Sequence, residues 1–146
     1  MLFVEKKCDL FAIPEEYYLA HCISGDYALG AGIAKVFTTK MDMKFKLFKN
    51  FPIPIGQKYA NVGKALLVER VFNLVTKGRC FEKPTYDSLW VTLCDMQKQC
   101  KELGITKLAM PKIGCGLDKL EWEEVKELIF EVFEDDDIEI VVCYLE

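Results

Sequence analysis

The sequence predicts an α/β fold in which helices cover both faces of a layered sheet. Short apolar runs typical of buried strands alternate along the chain with segments whose apolar residues recur at helical spacing. The 146 residues are 51% hydrophobic and 29% charged, the size and balance of one compact domain. No repeat, low-complexity tract or linker interrupts them, so we expect residues 1–146 to form a single domain.

The first half of the chain predicts two strands followed by helical structure. Residues 2–4 form a short apolar run, and residues 19–23 form a second one. A glycine-rich turn then opens a helix over residues 30–39. Residues 41–51 continue with mixed helical periodicity until Pro52 stops them.

The second half predicts four further strands and two helices. The strands are expected at residues 64–69, 71–76, 107–110 and 138–144, the first two forming neighbours separated by Arg70. One amphipathic helix starts after Pro84 and stops at Gly104, and its buried face comprises Tyr86, Leu89, Leu93, Met96, Cys100 and Leu103. The last helix is marked by Trp122, Val125, Ile129 and Val132.

Charge and hydropathy exclude some functional classes. The net charge is −4, from 19 basic and 23 acidic residues. This charge disfavours a protein that binds nucleic acid mainly through contacts with its phosphates. Charged residues interrupt every apolar stretch well before the roughly 20 residues needed to cross a bilayer. The N-terminus lacks the pattern of a signal peptide. We therefore expect no membrane partner and a cytoplasmic protein, or a nuclear one in a eukaryote, that is not secreted.

The cysteine and histidine content argues against a metal site. Seven cysteines contain no Cys-x-x-Cys pair, and His21 is the only histidine. We expect reduced thiols that pack as small apolar residues, and no metal or cofactor. His21 lies within a predicted strand, where a core role is favoured over a catalytic one.

Two glycine-rich loops follow predicted strands, at residues 30–34 and 111–118. Such loops let backbone N–H groups approach phosphate oxygens, although glycine at a strand–helix turn often serves the turn alone. Two of them in one small domain favour a diphosphate ligand. Neither matches the nucleotide-triphosphate loop or the dinucleotide fingerprint.

Four sequence blocks carry a resemblance to a known family, at residues 21–24 (HCIS), 30–34 (GAGIA), 83–86 (KPTY) and 110–118 (MPKIGCGLD). With them the chain resembles the macrodomain family, and within it the lysine/aspartate-type ADP-ribosyl hydrolases that cleave terminal ADP-ribose from protein. The resemblance runs from residues 9–11 to the last strand. It implies a three-layer α/β/α fold with a mixed, about six-stranded sheet and an ADP-ribose cleft above the strand ends.

The resemblance implies a set of substrate-binding residues. Asp9, next to Leu10, would accept a hydrogen bond from the adenine amine, whereas the alternative is a solvated turn residue. The family usually has glycine where this chain has Cys8. Ser24 would donate to the distal ribose or a phosphate, or else act as a turn serine. The two loops would cradle the ribose and diphosphate through Gly30, Ala31, Gly32, Ile33, Ile113, Gly114, Cys115, Gly116 and Leu117, with Cys115 contributing backbone only.

Two further residues carry the implied chemistry. Lys77 would attack the anomeric carbon of the distal ribose, and Asp118 would provide acid–base help in releasing the sugar adduct. The alternatives are that Lys77 is a charged strand-end residue and that Asp118 forms a capping box with Glu121. Arg79, Lys83 and Lys112 flank the loops and are expected to be solvated surface charges.

The resemblance implies a hydrolase that removes ADP-ribose from glutamate or aspartate side chains. O-acyl-ADP-ribose and ADP-ribosylated DNA bases are related substrates, so the partners would be ADP-ribose, ADP-ribosylated protein or modified DNA, and the chain a monomer. Two alternatives stay open. The first is a non-catalytic reader of ADP-ribose, and the second is a phosphatase for ADP-ribose 1″-phosphate.

Overall fold

A computed structural model of the chain, described here for residues 1–145, contains one six-stranded sheet. The strands are β1 (Leu2–Lys7), β2 (Tyr18–Ser24), β3 (Ala65–Val68), β4 (Val71–Lys77), β5 (Lys107–Met110) and β6 (Glu139–Tyr144). Their spatial order is β1-β6-β5-β2-β4-β3. All neighbours pair in parallel except β3 and β4, which form an antiparallel hairpin, so the sheet is mixed.

Within residues 1–145, four helices and one short 3₁₀ helix connect the strands. They are α1 (Gly32–Met41), α2 (Met43–Asn50), α3 (Tyr86–Leu103) and α4 (Trp122–Phe133), with the 3₁₀ helix at Leu10–Ala12. The helical region predicted over residues 30–51 is thus two helices. The chain turns between them at Asp42, whose backbone is left-handed with φ of 54°.

The sheet separates two apolar cores, which makes the three-layer arrangement. On one face α3 and α4 pack side chains such as Leu93, Met96 and Ile129 against the sheet. On the other face α1 and α2 contribute Phe37, Met43 and Leu47. All six of these side chains are fully buried. The predicted α/β/α fold is confirmed.

The parallel pairing of the strands determines where a functional site can form. The carboxyl ends of β1, β2, β4, β5 and β6 all lie at one edge of the sheet. Both glycine-rich loops leave the sheet at this edge, as does the segment after Lys77. Loops at such an edge are where α/β sheets bind their ligands. Within residues 1–145, none of the helices is both long and apolar enough to cross a membrane.

Candidate active site

A cleft runs along the carboxyl edge of the sheet and consists of two adjoining cavities. The larger, of about 700 Å³, lies between the two glycine-rich loops and the end of β4. The smaller, of about 520 Å³, lies beside the 3₁₀ helix and the end of β6. Ile33, Pro111 and Lys112 line both cavities and so form the boundary between them. The shape suits an elongated ligand with two different ends.

Lys77 and Asp118 meet in the larger cavity. Lys77 is the last residue of β4, and its Nζ donates to Oδ1 of Asp118 at 2.7 Å. Both side chains are mostly buried, with 14% and 16% of their surfaces exposed. The alternative of Lys77 as a solvated edge charge is therefore wrong, because its amine is held inside the cleft.

The capping-box interpretation of Asp118 and Glu121 is also wrong. The residue before α4 is Glu121, and no side chain caps the first turn of that helix. The Asp118 carboxylate is paired with Lys77, one strand away, and so does not reach the helix end. Both residues of the expected catalytic pair are thereby brought together, although 41 positions separate them in sequence.

The first glycine-rich loop forms one wall of the larger cavity. Residues 30–34 all line it, and α1 begins within the loop at Gly32. Gly32 has φ of 59°, a left-handed conformation that side chains rarely adopt. Ala31 precedes the helix and provides no side-chain cap, so the first-turn N–H groups depend on another partner. An anion such as a phosphate is the partner that a helix N-terminus favours.

The second loop forms the opposite wall. Ile113, Gly114, Gly116 and Leu117 line the cavity. Gly114 is left-handed with φ of 73°, and a Cβ there would lie 3.0 Å from the Leu120 side chain. The loop therefore needs glycine at this position both for its backbone and for its packing.

Cys115 belongs to this loop but lines neither cavity. Its thiol donates to the carbonyl oxygen of Ile113 at 3.3 Å. Burial raises the pKa of the thiol to about 11, so it is protonated at neutral pH. This matches the expectation of a packing residue, and the expected backbone contact of Cys115 with the ligand stays a prediction.

Ser24 lies in the larger cavity, but its hydroxyl hydrogen is already used. Ser24 is buried at the end of β2, and its Oγ donates to Oδ1 of Asp26 at 2.5 Å. The expectation was that Ser24 donates to the ligand. In this geometry the oxygen instead offers a lone pair that can accept a hydrogen bond from a ribose hydroxyl.

Asp9 and Leu10 lie apart from Lys77, in the smaller cavity. Oδ1 of Asp9 accepts a hydrogen bond from the Phe11 N–H at 3.0 Å, and so Asp9 caps the 3₁₀ helix Leu10–Ala12. The turn role is therefore present, and the placement in the cavity is compatible with the ligand role as well. Phe11 and Tyr144 add aromatic surface beside it.

The three flanking basic residues make intramolecular contacts. Nζ of Lys83 donates to the Leu117 carbonyl at 3.0 Å and so bridges the two rims of the larger cavity. Nζ of Lys112 lies 5.4 Å from the centre of the Tyr144 ring. Arg79 lies over Phe81. Lys83 and Lys112 line the cleft, which the sequence did not predict.

Sequence reasoning also missed residues that surround Lys77. Cys22 and Cys80 line the larger cavity, and burial raises the pKa of the Cys22 thiol to about 12. Asp26 lies behind the cavity and binds two of its lining segments. The strand-end position of Asp26 was visible in the sequence, and Ser24 and Ala28 are its near neighbours, but its bond to the Cys80 N–H joins residues 54 positions apart.

Comparisons with known proteins identify the family. The chain is 44% identical over 143 residues to the ADP-ribose glycohydrolase OARD1 of Homo sapiens, covering 95% of this chain and 89% of that protein. The Bos taurus protein of the same name is 43% identical over the same shares. No family model matches the chain.

Solved structures agree on the fold. The macrodomain of Mycobacterium tuberculosis DarG superposes with a TM-score of 0.82 at 22% identity and covers 97% of both chains. Thermosipho africanus DarTG in complex with ADP-ribose gives a TM-score of 0.81 at 19% identity, over 97% of this chain and 41% of that one.

Fold and relatives together define the class of protein, which is a macrodomain hydrolase. Within that class the chain belongs to the family of ADP-ribose glycohydrolases that the human and bovine relatives represent.

Proposed function

We propose that this protein binds ADP-ribose along the cleft and releases it from modified glutamate or aspartate side chains, with Lys77 as the nucleophile. The observation that carries the proposal is the Lys77–Asp118 pair, held at 2.7 Å between the two glycine-rich loops. A reader of ADP-ribose needs the loops but has no use for a buried lysine–aspartate pair beside them. The complex of DarTG with ADP-ribose supports this choice of ligand.

The cleft suggests how ADP-ribose lies. The adenine end occupies the smaller cavity, where Asp9 offers a carboxylate to the adenine amine. The diphosphate passes between the two loops, close to the uncapped N-terminus of α1. The distal ribose then lies in the larger cavity beside Ser24 and Lys77.

The chemistry follows from the pair. Asp118 accepts a proton from the Lys77 ammonium, and the free amine attacks the anomeric carbon of the distal ribose. A C–N bond forms while the bond from that carbon to the carboxylate oxygen breaks, and the protein carboxylate leaves. Water then hydrolyses the sugar–lysine adduct with Asp118 assisting proton transfer. ADP-ribose departs, Lys77 is regenerated, and one water is consumed overall.

Lys77→Ala and Asp118→Ala test the proposal. We expect release of ADP-ribose from glutamate-modified protein to fall on the order of 10³-fold in each variant. The affinity for free ADP-ribose, measured by calorimetry, should change less than about tenfold. Lys46→Ala is the matched control, because Lys46 forms an ion pair with Glu69 away from the cleft.

Parallel assays on O-acetyl-ADP-ribose, ADP-ribosylated DNA and ADP-ribose 1″-phosphate rank the linkages that the cleft accepts. If the wild type binds ADP-ribose tightly but releases product from none of these substrates, the protein is a non-catalytic reader of ADP-ribose. Full release by Lys77→Ala would overturn the lysine mechanism.

A further inference from the structure

We propose that Asp26 is a positioning residue that holds the end of β4 so that the Lys77 amine reaches both Asp118 and the sugar. This inference rests on the proposed function, in which Lys77 is the nucleophile. Asp26 lines neither cavity, whereas Ser24, Ala28 and Cys80, to which it is bonded, all line the larger one. Its effect on the reaction is therefore indirect.

The backbone around Asp26 extends the pairing of β2 with β4. The register of the two strands shifts between Ile23 and Ser24, so regular pairing ends just before the catalytic lysine. Beyond this irregularity the N–H of Gly25 donates to the Lys77 carbonyl at 2.9 Å. The N–H of Asp26 donates to the Gly78 carbonyl at 3.1 Å. These two bonds fix the two consecutive peptide groups that follow Lys77, Lys77–Gly78 and Gly78–Arg79.

The Asp26 carboxylate then binds three separate groups. Oδ1 accepts from the Ser24 hydroxyl at 2.5 Å and from the Ala28 N–H at 3.1 Å. Oδ2 accepts from the Cys80 N–H at 2.8 Å. One side chain thus ties together the end of β2, the approach to the first glycine-rich loop and the segment that follows Lys77.

The charge state of Asp26 fits this role. Burial raises the pKa of the carboxyl, but the hydrogen bonds from Ser24, Cys80 and Ala28 outweigh it, so the pKa lies below its ordinary value. The group is therefore an acceptor on both oxygens at neutral pH, and all three donors are satisfied.

The property that we expect Asp26 to control is the position of the Lys77 amine. The segment after β4 is a loop, and Asp26 supplies both a main-chain and a side-chain bond to its first three residues. A nucleophile displaced by about 1 Å loses roughly 10²-fold in rate, whereas binding of the remote ends of the ligand is unaffected. Loss of Asp26 should consequently lower turnover much more than affinity.

Asp26→Asn is the informative variant. The asparagine side chain has one oxygen and one NH₂ group in place of the two carboxylate oxygens. Its NH₂ group, itself a donor, must therefore face either the Cys80 N–H or the Ser24 and Ala28 donors. We expect kcat to fall by about 10- to 100-fold, because misplacing a reacting group by up to about 1 Å costs as much as roughly 10²-fold in rate. The Kd for ADP-ribose should stay within about threefold.

A chemical trap reports on Lys77 directly. Free ADP-ribose has an aldehyde in its open form, and a Lys77 Schiff base with it is reduced by cyanoborohydride to a stable amine that mass spectrometry locates. At saturating ADP-ribose, Asp26→Asn should trap this adduct more slowly than the wild type. A role confined to stability would not change this rate at a temperature where both proteins are folded.

Asp95→Asn is the matched control. Asp95 also accepts a backbone N–H, that of Ala65 at 2.7 Å, but it does so on α3 away from the cleft. Its variant should melt at a lower temperature while keeping the wild-type kcat and trapping rate. If Asp26→Asn does not fold, Asp26→Ser removes the charge without placing an amide donor beside Cys80, and it is assayed in the same way.

The outcomes separate the two proposals. An unchanged trapping rate in folded Asp26 variants would overturn the positioning role, as would a loss of affinity as large as the loss of kcat. Absence of a Lys77 adduct in the wild type would instead overturn the proposed function on which the role rests.

Discussion

His21 shows how burial decides the behaviour of a single residue. It is fully buried, and its Nε2 lies 2.6 Å from Oδ1 of Asn73. The Asn73 amide nitrogen donates to the Leu66 carbonyl, so its oxygen is the acceptor and Nε2 of His21 carries the proton. The expectation of a core histidine is confirmed. Burial lowers the pKa of His21 to about 4, and the ring is neutral in the folded protein at pH 7.

This lowered pKa predicts a pH-dependent stability. The folded pKa of about 4 lies below the ordinary value of 6.5, so the unfolded chain binds more protons between these values. The contribution of neutral His21 to the free energy of unfolding is complete above pH 6.5 and is lost as the pH falls towards 4. We expect the free energy of unfolding, from urea titrations, to drop by about 2 to 3 kcal/mol between pH 8 and pH 4.5 on this account.

His21→Gln provides the comparison for that prediction. Glutamine does not titrate and can still donate to Asn73, so the variant should lose less stability over the same pH range. An identical pH dependence in both proteins would assign the effect to other groups.

At the scale of elements, the start of α3 is fixed by local chemistry next to the site. Oγ1 of Thr85 accepts from the Ser88 N–H at 3.0 Å, and Oγ of Ser88 accepts from the Thr85 N–H at 3.0 Å, which is a complete capping box. At the other end Gly104 is left-handed and closes the helix. The helix therefore holds the loop that follows Lys77 at a defined exit point.

Thr85→Ala should weaken this helix start. Loss of the cap leaves the Ser88 N–H without its side-chain acceptor and costs about 1 kcal/mol. For a chain of this length we expect the melting temperature to fall by about 2 to 4 °C, measured by circular dichroism. Thr85→Ser keeps the hydroxyl and should melt close to the wild type; an equal loss in both variants would contradict the capping explanation.

At the scale of the whole molecule, the cleft joins the two layers. The wall of residues 30–34 leads into α1 on one face of the sheet, and residues 111–118 lead towards α4 on the other. A ligand that spans both walls connects elements from the two separate cores. Its binding energy therefore adds to the stability of the whole fold.

Saturating ADP-ribose should consequently raise the melting temperature. At a free concentration 100 times the Kd, mass action adds about 2.7 kcal/mol to the free energy of unfolding. Asp9→Ala, which removes a carboxylate from the smaller cavity, should show a smaller rise at the same concentration. Absence of any rise in the wild type would contradict the placement of ADP-ribose in the cleft.

Much of the fold was accessible from the sequence because strand and helix periodicities are local. All six strands and the helices α3 and α4 lie where apolar spacing predicts them, with differences of a few residues at their ends. The break at Asp42 was missed, since it depends on one left-handed residue inside a continuous helical pattern. Motif blocks likewise indicated both loops, and Asp118 lies in one of them; the catalytic roles of Lys77 and Asp118 stay predictions.

By itself, the sequence determined the α/β alternation, the glycine positions and the side chains from which a reactive pair is predicted. Tertiary structure alone decided which of them meet. Lys77 and Asp118 become partners because parallel pairing brings the ends of β4 and β5 to one edge, with β2 between them. The same pairing gives Asp26 its bond to the Cys80 N–H, 54 positions away. Contacts across such distances leave no local pattern, because they depend on sheet order rather than on neighbouring residues.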